Sequence, residues 1–582
     1  MLARMKKRYE NTISALPTLG LRPASALRTA LAAGYGPPDL RADVLAGMTV
    51  GIVALPLSMA LAIASGVPPQ YGLYTAIIAG FVTALLGGSR TQVSGPTAAF
   101  VVILAPIASQ YGIGGLLVAT VMAGVLLVIL GIARMGQLIT YIPHPVTTGF
   151  TAGIAVVIAT LQLRDFLGLG IAKMPDHYLD KVWAISVALP GARWQDGLIG
   201  ALTLAILLLW PRMTHRVPAP LAALGIASVV SYVFQLDVAT IASKFTWDVG
   251  AAGSGTGIPP LPPTPLLPWR LPGPGGAPLP LTFATIQELF PSAFAIAMLG
   301  AIESLLSAVV ADGMAGTRHD PDAELVAQGT SNILAPFFGG FASTGAIART
   351  ATNIRAGARS PLAAMVHAVF VLLAMLLFAS LLGRLPMAAM AALLLVVAWN
   401  MAELKHFIRI LQVAPKSDVT VLLTCFSLTV MFDMVIAVTV GIILAAFLFM
   451  RRMVEISGAH LSEGRHPSLR EPLPKGVVLY EIAGPLFFGA AAKAMSQLET
   501  VADSARVVIL DMTAVPAMDA TGLVGLETAL DRLARVNTFV ILAGVQPQPA
   551  KVLERAGIVD GPQLAFAATL QTAVERSRAP GV

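Results

Sequence analysis

Two short polar stretches interrupt apolar segments and contain the residue types best suited to binding chemistry. The first, "TQVSGPTAAFVVILAP" at residues 91–106, opens with a polar cluster and a Gly-Pro pair where a helix should start. The second, "GGFASTGAIARTATNIRAG" at residues 339–357, also opens with small polar residues and becomes helical only midway. A helix N-terminus has unpaired backbone N–H groups and roughly half a positive charge. Each stretch therefore predicts a helix start that can bind an anion.

Two ionisable residues accompany these stretches. Arg349 follows the second interruption and adds a full positive charge beside that helix start, whereas Glu303 lies within the apolar run "AMLGAIESLLSAVVAD". A charge at mid-membrane costs on the order of 2.5–3.5 kcal/mol by insertion scales, so a functional role is the default hypothesis. We predict that Arg349 binds the anion and that Glu303 is the coupling group; for Glu303 an ion pair with Arg349 is the alternative. We interpret Asp433 as a solvated helix cap and His367 as a packing residue.

The composition indicates the environment in which these residues act. Of the 582 residues, 56% are hydrophobic and 12% charged, with a mean hydropathy of +0.78. Because soluble proteins have roughly 25% charged residues, this is a polytopic membrane protein. The net charge of +7 is explained by basic residues on the cytoplasmic side of the membrane, without nucleic-acid binding. The single cysteine, Cys425, cannot form an intrachain disulfide, and the histidines show no metal-ligand spacing.

The apolar segments number about fourteen, and the basic residues at both ends orient them. Lys6, Lys7 and Arg8 precede the first segment and Arg451 follows the last, which predicts that both termini are cytoplasmic. We predict a cytoplasmic segment at 1–44, transmembrane repeat 1 at 45–236, an external Pro/Gly-rich loop at 237–282, transmembrane repeat 2 at 283–452 and a cytoplasmic domain at 474–578.

The two interrupted segments occupy the third crossing of each half and run in opposite directions through the membrane. Their helix starts should therefore face one another near the bilayer centre, which is the arrangement that indicates a transporter binding site. Pro96 suits a first helical turn because its missing N–H has no intrahelical partner there. The alternative is a pair of kinked structural helices.

The chain after Arg452 has the pattern of a small soluble domain. "GVVLYEI", "RVVILDM" and "TFVILAGV" read as buried strands, while "TGLVGLETALDRLARV" and "PAKVLERAGI" read as helices. Strands that alternate with helices predict an α/β fold.

Several of these stretches also resemble one known family. "LPLSMALAIASGVPPQYGLYTA", "SGPTAA", "FGGFASTGAIARTATNIRAGARSP" and "GPLFFGAA" are similar to the sulfate permease (SulP) family, the solute carrier 26 anion transporters. The resemblance covers nearly everything from Leu45 to Arg576. It implies a polytopic α-helical membrane protein with about fourteen transmembrane segments in two inverted repeats, arranged as a uracil-permease-like core and gate. It also implies a C-terminal α/β STAS domain, a homodimer and an elevator-like movement of core against gate.

The resemblance further implies a substrate site between the third and tenth helices, with contributions from the first and eighth. Glu303 takes the coupling position. The substrate-binding positions are Pro56, Leu57, Ser58, Leu61, Ser94, Gly95, Pro96, Thr97, Ala346, Ile347, Ala348 and Arg349.

Departures from the family pattern bear on the substrate. Leu57 and Leu61 stand where several relatives have glutamine and phenylalanine, and Ala346 and Ala348 replace common hydroxyl residues. The stretches "MLGAIESLLSAVVADGM" and "SLTVMFDMVIAVTVGI" are also similar to bacterial four-carbon dicarboxylate permeases. We therefore predict proton-coupled uptake of C4-dicarboxylates (the succinate, fumarate and aspartate class) across the bacterial inner membrane. Na⁺ is the alternative coupling ion, and no other cofactor or metal is expected.

Three other functions remain open from the sequence. The chain could transport an inorganic anion such as sulfate or bicarbonate, form an uncoupled anion channel, or act as a membrane-anchored scaffold through its STAS domain. An enzyme is not expected, because no nucleophile–base pair or metal constellation is present, and the lack of a GxxxxGK[ST] motif argues against a primary pump.

The STAS-like region adds a regulatory hypothesis. "MDATGL" resembles a loop of anti-sigma-factor antagonists in which the hydroxyl residue before the glycine is phosphorylated, and Thr521 takes that place. The alternative is that Thr521 only caps a helix. A cytoplasmic protein partner is expected to bind through this domain.

Overall fold

The computed structural model describes residues 23–137, 142–171, 174–175, 177–214, 217–248, 253–432, 434–456, 458–462, 469, 471–487 and 505–579. The chain forms two compact units, Met1–Ile442 and Ile443–Val582. Asp433, interpreted above as a helix cap, and residues 488–491 of "GPLFFGAA" lie outside the described residues.

The first half of the membrane region is helical with one short strand. Its elements are α1 (Ser25–Ala32), α2 (Pro37–Ala64), α3 (Pro69–Leu86), β1 (Ser94–Gly95), α4 (Ala98–Ile132), α5 (His144–Phe166), α6 (Tyr178–Ala188), α7 (Trp194–Met213) and α8 (Ala219–Val233). Helix α4 is broken at Gly112, whose φ of 68° is readily adopted only by glycine. The predicted third and fourth segments are therefore the two parts of α4.

The second half repeats this plan. After α9 (Ile241–Lys244), β2 (Thr246–Asp248) and β3 (Ser254–Thr256) in the connecting loop come α10 (Phe283–Ala315), α11 (Pro321–Leu334), β4 (Thr344–Gly345), α12 (Ile347–Arg355), α13 (Leu362–Gly383), α14 (Met387–Met401), α15 (Leu404–Val413), α16 (Lys416–Met431) and α17 (Met434–Ile456). Within the described ranges, nine helical segments are long and apolar enough to span a membrane. Shorter helices, such as α8, α11 and α12, occupy the other predicted segments.

The first membrane helix begins earlier than predicted. Helix α2 starts at Pro37 rather than at residue 45, because Gly36 is its N-cap and prolines occupy the first turn. The carboxylate of Asp39 accepts a hydrogen bond from the Gly36 N–H at 3.0 Å, which closes this turn. The first two turns contain polar residues, and for this reason the sequence predicted that residues 37–44 belong to the N-terminal cytoplasmic segment.

The membrane helices pack as two groups. Helices α2, α3, α4, α10, α11, α12 and α13 contact one another extensively and form the core, while α5, α7, α8, α14 and α16 form the gate. Small residues allow close approach: a Cβ on Gly124 in α4 would lie 2.7 Å from the carbonyl oxygen of Gly329 in α11. Such contacts are the usual source of helix association in lipid. The core carries both interrupted segments.

The soluble domain of the second unit is a five-stranded sheet with helices on both faces. Its strands are β5 (Gly458–Ser462), β6 (Val477–Ala483), β7 (Val507–Ala514), β8 (Phe539–Ala543) and β9 (Leu564–Ala567), in that spatial order, and its helices are α18 (Ala520–Arg535), α19 (Pro547–Arg555) and α20 (Leu570–Arg576). Strand β5 is antiparallel to β6, and the other pairs are parallel.

The sequence predicted the three central strands but not the two edge strands. β6, β7 and β8 are buried on both faces, which explains their continuous apolar runs. Edge strand β5, "GAHLS", alternates in polarity, and edge strand β9, "LAFA", is apolar but only four residues long, with a single buried residue, Ala565. Because an edge strand has only one neighbouring strand, fewer of its side chains are buried and its apolar pattern in the sequence is weaker.

Candidate functional site

The two interrupted segments meet inside the core. β1 and β4 pair antiparallel, with Ser94 opposite Gly345 and Gly95 opposite Thr344. The pairing continues where the Ala346 N–H donates to the carbonyl oxygen of Val93 at 2.9 Å. Since the strands are antiparallel and each leads into a helix, α4 and α12 depart from one crossing point in opposite directions. The structure thus brings together the two helix starts that the sequence singled out.

Both helix starts lack a capping side chain. Thr97 and Ala346 are the N-cap residues of α4 and α12, both have extended backbone conformation, and neither side chain accepts a hydrogen bond from its own first turn. The first N–H groups of a helix have no intrahelical partner and are normally satisfied by caps, water or ligands. A negatively charged ligand at the crossing could therefore accept hydrogen bonds from both helices.

The expectation for Pro96 requires a correction. α4 begins at Ala98, so Pro96 precedes the N-cap instead of occupying the first helical turn. Its carbonyl oxygen accepts a hydrogen bond from Nη2 of Arg349. The extended segment presents this carbonyl to α12, which a proline within the helical turn could not do.

Arg349 lies in the first turn of α12 with an exposed fraction of only 2%. Apart from the Pro96 contact, its Nε and Nη1 have no hydrogen-bond partner, and it forms no ion pair with any described residue. A Cβ on Gly95 would lie 2.5 Å from Nη1, so the guanidinium lies directly against the backbone of β1. Because a buried charge is costly without compensation, this arrangement favours an anionic ligand.

Glu303 projects from α10 toward the start of α4. The hydroxyl of Thr97 donates a hydrogen bond to Oε2 of Glu303 at 2.9 Å. No ion pair joins Glu303 to Arg349 in the described part of the chain, so the ion-pair alternative is absent from this conformation. The carboxylate is instead linked to the N-cap residue of one of the two facing helices, and it is partly exposed.

The remaining predicted residues differ in accessibility. Ile347 and Ala348 are exposed, whereas Ala346 is buried. On α2, which packs against α4 and α12, Leu57 is partly exposed and Leu61 is buried. Pro56 and Ser58 are also buried, and no hydrogen bond joins either side chain to the crossing in the described residues. The accessible edge of the crossing thus combines apolar surface with the Thr97–Glu303 pair.

A layer of buried polar side chains supports the crossing, and the sequence reading missed it. Gln328 donates through Nε2 to Oγ of Ser94 at 2.5 Å, and the Val93 N–H donates to Oγ1 of Thr350 at 3.1 Å. Gln92 donates to Oγ of Ser304 at 2.9 Å. These contacts satisfy polar groups that are buried in the core.

One signal in the sequence could have revealed this layer. Glu324, Gln328 and Asn332 are spaced by four residues, which places them on one face of α11. Glu324 accepts hydrogen bonds from the N–H groups of Gly88 and Ser89 at 3.0 and 3.2 Å, and Asn332 exchanges hydrogen bonds with the backbone of Ser343. The polar face thus fixes the chain before each helix start.

Two further sequence interpretations concern single residues. His367 in α13 is fully buried near Gly80, as a packing residue would be. Thr521 is exposed in the first turn of α18, but the N-cap is Asp519, whose carboxylate accepts from the Gly522 N–H at 2.7 Å. The capping alternative for Thr521 is therefore wrong, because the helix begins one residue before it.

Comparisons with known proteins identify the family. The model of the sulfate permease family matches residues 40–425, and that of the STAS domain matches residues 471–573. The putative sulfate transporter YvdB of Bacillus subtilis is 42% identical over 90% of this chain and 95% of its own length. Among solved structures, the transmembrane domain of a cyanobacterial bicarbonate transporter, BicA, is 28% identical over 71% of this chain and 98% of its own, with a TM-score of 0.58.

The overall structure of SLC26A9 gives a TM-score of 0.77 over 95% of this chain and 91% of its own, at 17% identity, and so supports the fold alone. The relatives are transporters, and the chain likewise is a transporter rather than an enzyme. The crossed helix starts, the core-and-gate arrangement and these matches together establish that the chain belongs to the sulfate permease family, the SulP/SLC26 anion transporters with a C-terminal STAS domain.

Proposed function

We propose that this anion transporter takes up C4-dicarboxylates together with protons. The observation that carries the proposal is the buried guanidinium of Arg349, which has two unpartnered nitrogens beside two uncapped helix starts. A planar guanidinium suits the bidentate recognition of a carboxylate. A dicarboxylate has two charged ends. One could bind at the start of α4 and the other at the start of α12, where Arg349 lies.

The surface around the crossing supports an organic anion. Leu57 and Leu61 lie on the helix that packs against α12, and Ala346 and Ala348 flank the start of that helix. None of these side chains can donate a hydrogen bond to a sulfate oxygen. Leu57 is partly exposed and Ala348 is exposed, so these two could contact the carbon chain of succinate or fumarate, for which apolar contact is favourable; Leu61 and Ala346 are buried.

An inorganic anion is the second candidate, and the relatives favour it. The 42%-identical protein is described as a putative sulfate transporter, and the 28%-identical structure is that of a bicarbonate transporter. The uncapped helix starts could bind such anions through backbone N–H groups alone. An uncoupled anion channel could use the same site.

Proton coupling is assigned to Glu303. When ionised, its carboxylate lies at the start of α4 and repels an anion that approaches the same N-terminus; a bound proton removes that repulsion. By linkage, a proton that favours anion binding is itself bound more tightly when the anion is present. Proton and anion would then move inward together, with Na⁺ as the alternative coupling ion.

The proposal includes an arrangement in the cell. The chain would lie in the bacterial inner membrane with both termini cytoplasmic, act as a homodimer, and move its core against its gate like an elevator. Thr521 is exposed on the STAS domain, which suits a phosphorylation site, and that domain would bind a cytoplasmic protein partner.

Competition in proteoliposomes tests the substrate class. With labelled succinate as the tracer and an inward proton gradient, unlabelled fumarate should compete at lower concentrations than sulfate or bicarbonate. Stronger competition by sulfate or bicarbonate would reject the dicarboxylate assignment and favour the inorganic anion. Downhill flux without accumulation would favour the channel.

A further inference from the structure

Helix α15 is a short amphipathic helix outside the transport site. It connects α14 to α16 and none of its residues is fully buried. One side packs on the protein: the ring of His406 lies 4.8 Å from that of His144, and the ring of Phe407 lies 5.5 Å from that of Phe426. α15 is thereby fixed against α5 and α16, at the end of two membrane segments.

A second side of α15 is apolar and uncovered. Leu404, Ile408 and Leu411 follow the i, i+4, i+7 spacing of one helical face, and their exposed fractions are 44%, 42% and 37%. Such a stripe is unfavourable in water. Since α15 follows α14 within an apolar stretch long enough to cross a membrane, Met387–Val413, we infer that acyl chains are the apolar material available to this stripe.

A third side of α15 is cationic. Lys405 and Arg409 are exposed, four residues apart, and lie about 100° around the helix from the apolar stripe. Neither forms an ion pair with a described residue. Lys416, at the first position of α16, is exposed as well, while Asp418 accepts a hydrogen bond from Ser417. An apolar stripe beside a cationic face is typical of a helix that lies in the membrane interface.

We propose that α15 is a binding site for anionic phospholipids, with Lys405 and Arg409 contacting the headgroup phosphates and the Leu404–Ile408–Leu411 stripe contacting the acyl chains. The stripe distinguishes a lipid from free phosphate, which would need only the cations. A basic residue near an anionic membrane surface contributes about fivefold in affinity, so the two cations together should contribute about 25-fold.

The test is a titration of the purified full-length protein in detergent with short-chain phosphatidylglycerol or phosphatidylcholine, with bound lipid counted by native mass spectrometry. The wild type should bind phosphatidylglycerol more tightly than phosphatidylcholine. The double variant Lys405→Gln/Arg409→Gln should lose most of this preference. Ile408→Gln should weaken binding of both lipids, because it alters the acyl-chain contact.

The matched control is Lys551→Gln/Arg555→Gln, which makes the same charge change at the same spacing on α19 of the soluble domain. It should leave lipid binding unchanged. Because all four cations are exposed, each variant should keep the lipid-free melting temperature. An unchanged phosphatidylglycerol preference in the α15 variant, an equal loss in the control, or full competition by inorganic phosphate would overturn the proposal. The proposal would also be overturned if the α15 variant lost a co-purified protein while its lipid binding stayed unchanged.

Discussion

Arg349 retains unsatisfied hydrogen-bonding capacity. Its charge is buried, one nitrogen donates to the Pro96 carbonyl, and two others have no partner. A stabilising role alone would normally come with a carboxylate partner, and none is present among the described residues. The side chain is therefore better explained by a ligand than by packing.

Arg349→Ala should weaken anion binding by roughly 10- to 100-fold, because a hydrogen bond to a charged group contributes about 1.5–3 kcal/mol. Arg349→Lys should recover only part of the affinity, since it restores the charge but not the bidentate geometry. The substrate-induced thermal shift of each variant measures its anion affinity. Arg355→Ala, an exposed arginine in the last turn of the same helix, is the control and should bind normally. Normal binding by Arg349→Ala would remove this residue from the site.

Glu303→Gln should bind substrate with little pH dependence yet fail to accumulate it. The amide resembles the protonated acid and keeps a partner for Thr97, but it cannot release a proton. The measurement is proteoliposome uptake driven by an imposed pH gradient. Glu288→Gln, an exposed position on the same helix, should accumulate substrate like the wild type. If the Glu303 variant also responds to the gradient, the coupling group lies elsewhere.

At the scale of elements, two-residue strands determine where the helices start. β1 and β4 pair only at Ser94–Gly345 and Gly95–Thr344, and buried side chains of α11 anchor the chain on either side. Chain extended at this depth would be unstable in lipid, but here it is enclosed by the core. Binding geometry should therefore be sensitive to the spacing between β1 and α12.

Gly95→Ala should reduce anion affinity by about tenfold or more by displacing Arg349. The new Cβ would lie 2.5 Å from Nη1 of Arg349, and overpacking of this kind costs roughly 1–3 kcal/mol. The guanidinium must move to relieve the contact. Gly225→Ala in α8, where a Cβ meets nothing within 4 Å, is the control. Equal affinities in an isothermal titration of the two variants would contradict the proposed role of this spacing.

At the scale of the whole molecule, the candidate substrate-binding residues and Glu303 all belong to the first unit, Met1–Ile442. Every hydrogen bond described around the crossing joins residues of the core helices and their strands. The STAS domain has its own apolar core on both faces of its sheet, including Leu510 and Ile509. The described residues of the STAS domain thus form an apolar core of their own.

A chain that ends after Ile456 should keep its substrate-induced thermal shift, because all predicted substrate-binding residues remain. Its transport rate is expected to fall if the STAS domain regulates movement or assembly. The thermal shift induced by the preferred anion measures whether the truncated chain still binds it. Complete loss of anion binding in a folded, inserted truncation would favour the scaffold hypothesis over a self-contained transporter.

The sequence by itself determined the class of protein and the two interrupted segments at which helices start, and it predicted the approximate segments and an anion site at these helix starts. These properties depend on local patterns: apolar runs long enough for the membrane, Gly-Pro breaks, and small polar residues before "AIART". The central STAS strands were predictable for the same reason, because burial on both faces leaves continuous apolar runs.

The tertiary structure decided which side chains contact one another. That Glu303 meets Thr97 and not Arg349, that Pro96 supplies a carbonyl and not a helical turn, and that Gln328 supports Ser94 all depend on contacts across more than 200 residues. Hydrophobic periodicity records the depth and face of a residue but not its partner on another helix. The edge strands β5 and β9 were missed because β5 is of mixed polarity and β9 is only four residues long, and each pairs with a single neighbouring strand.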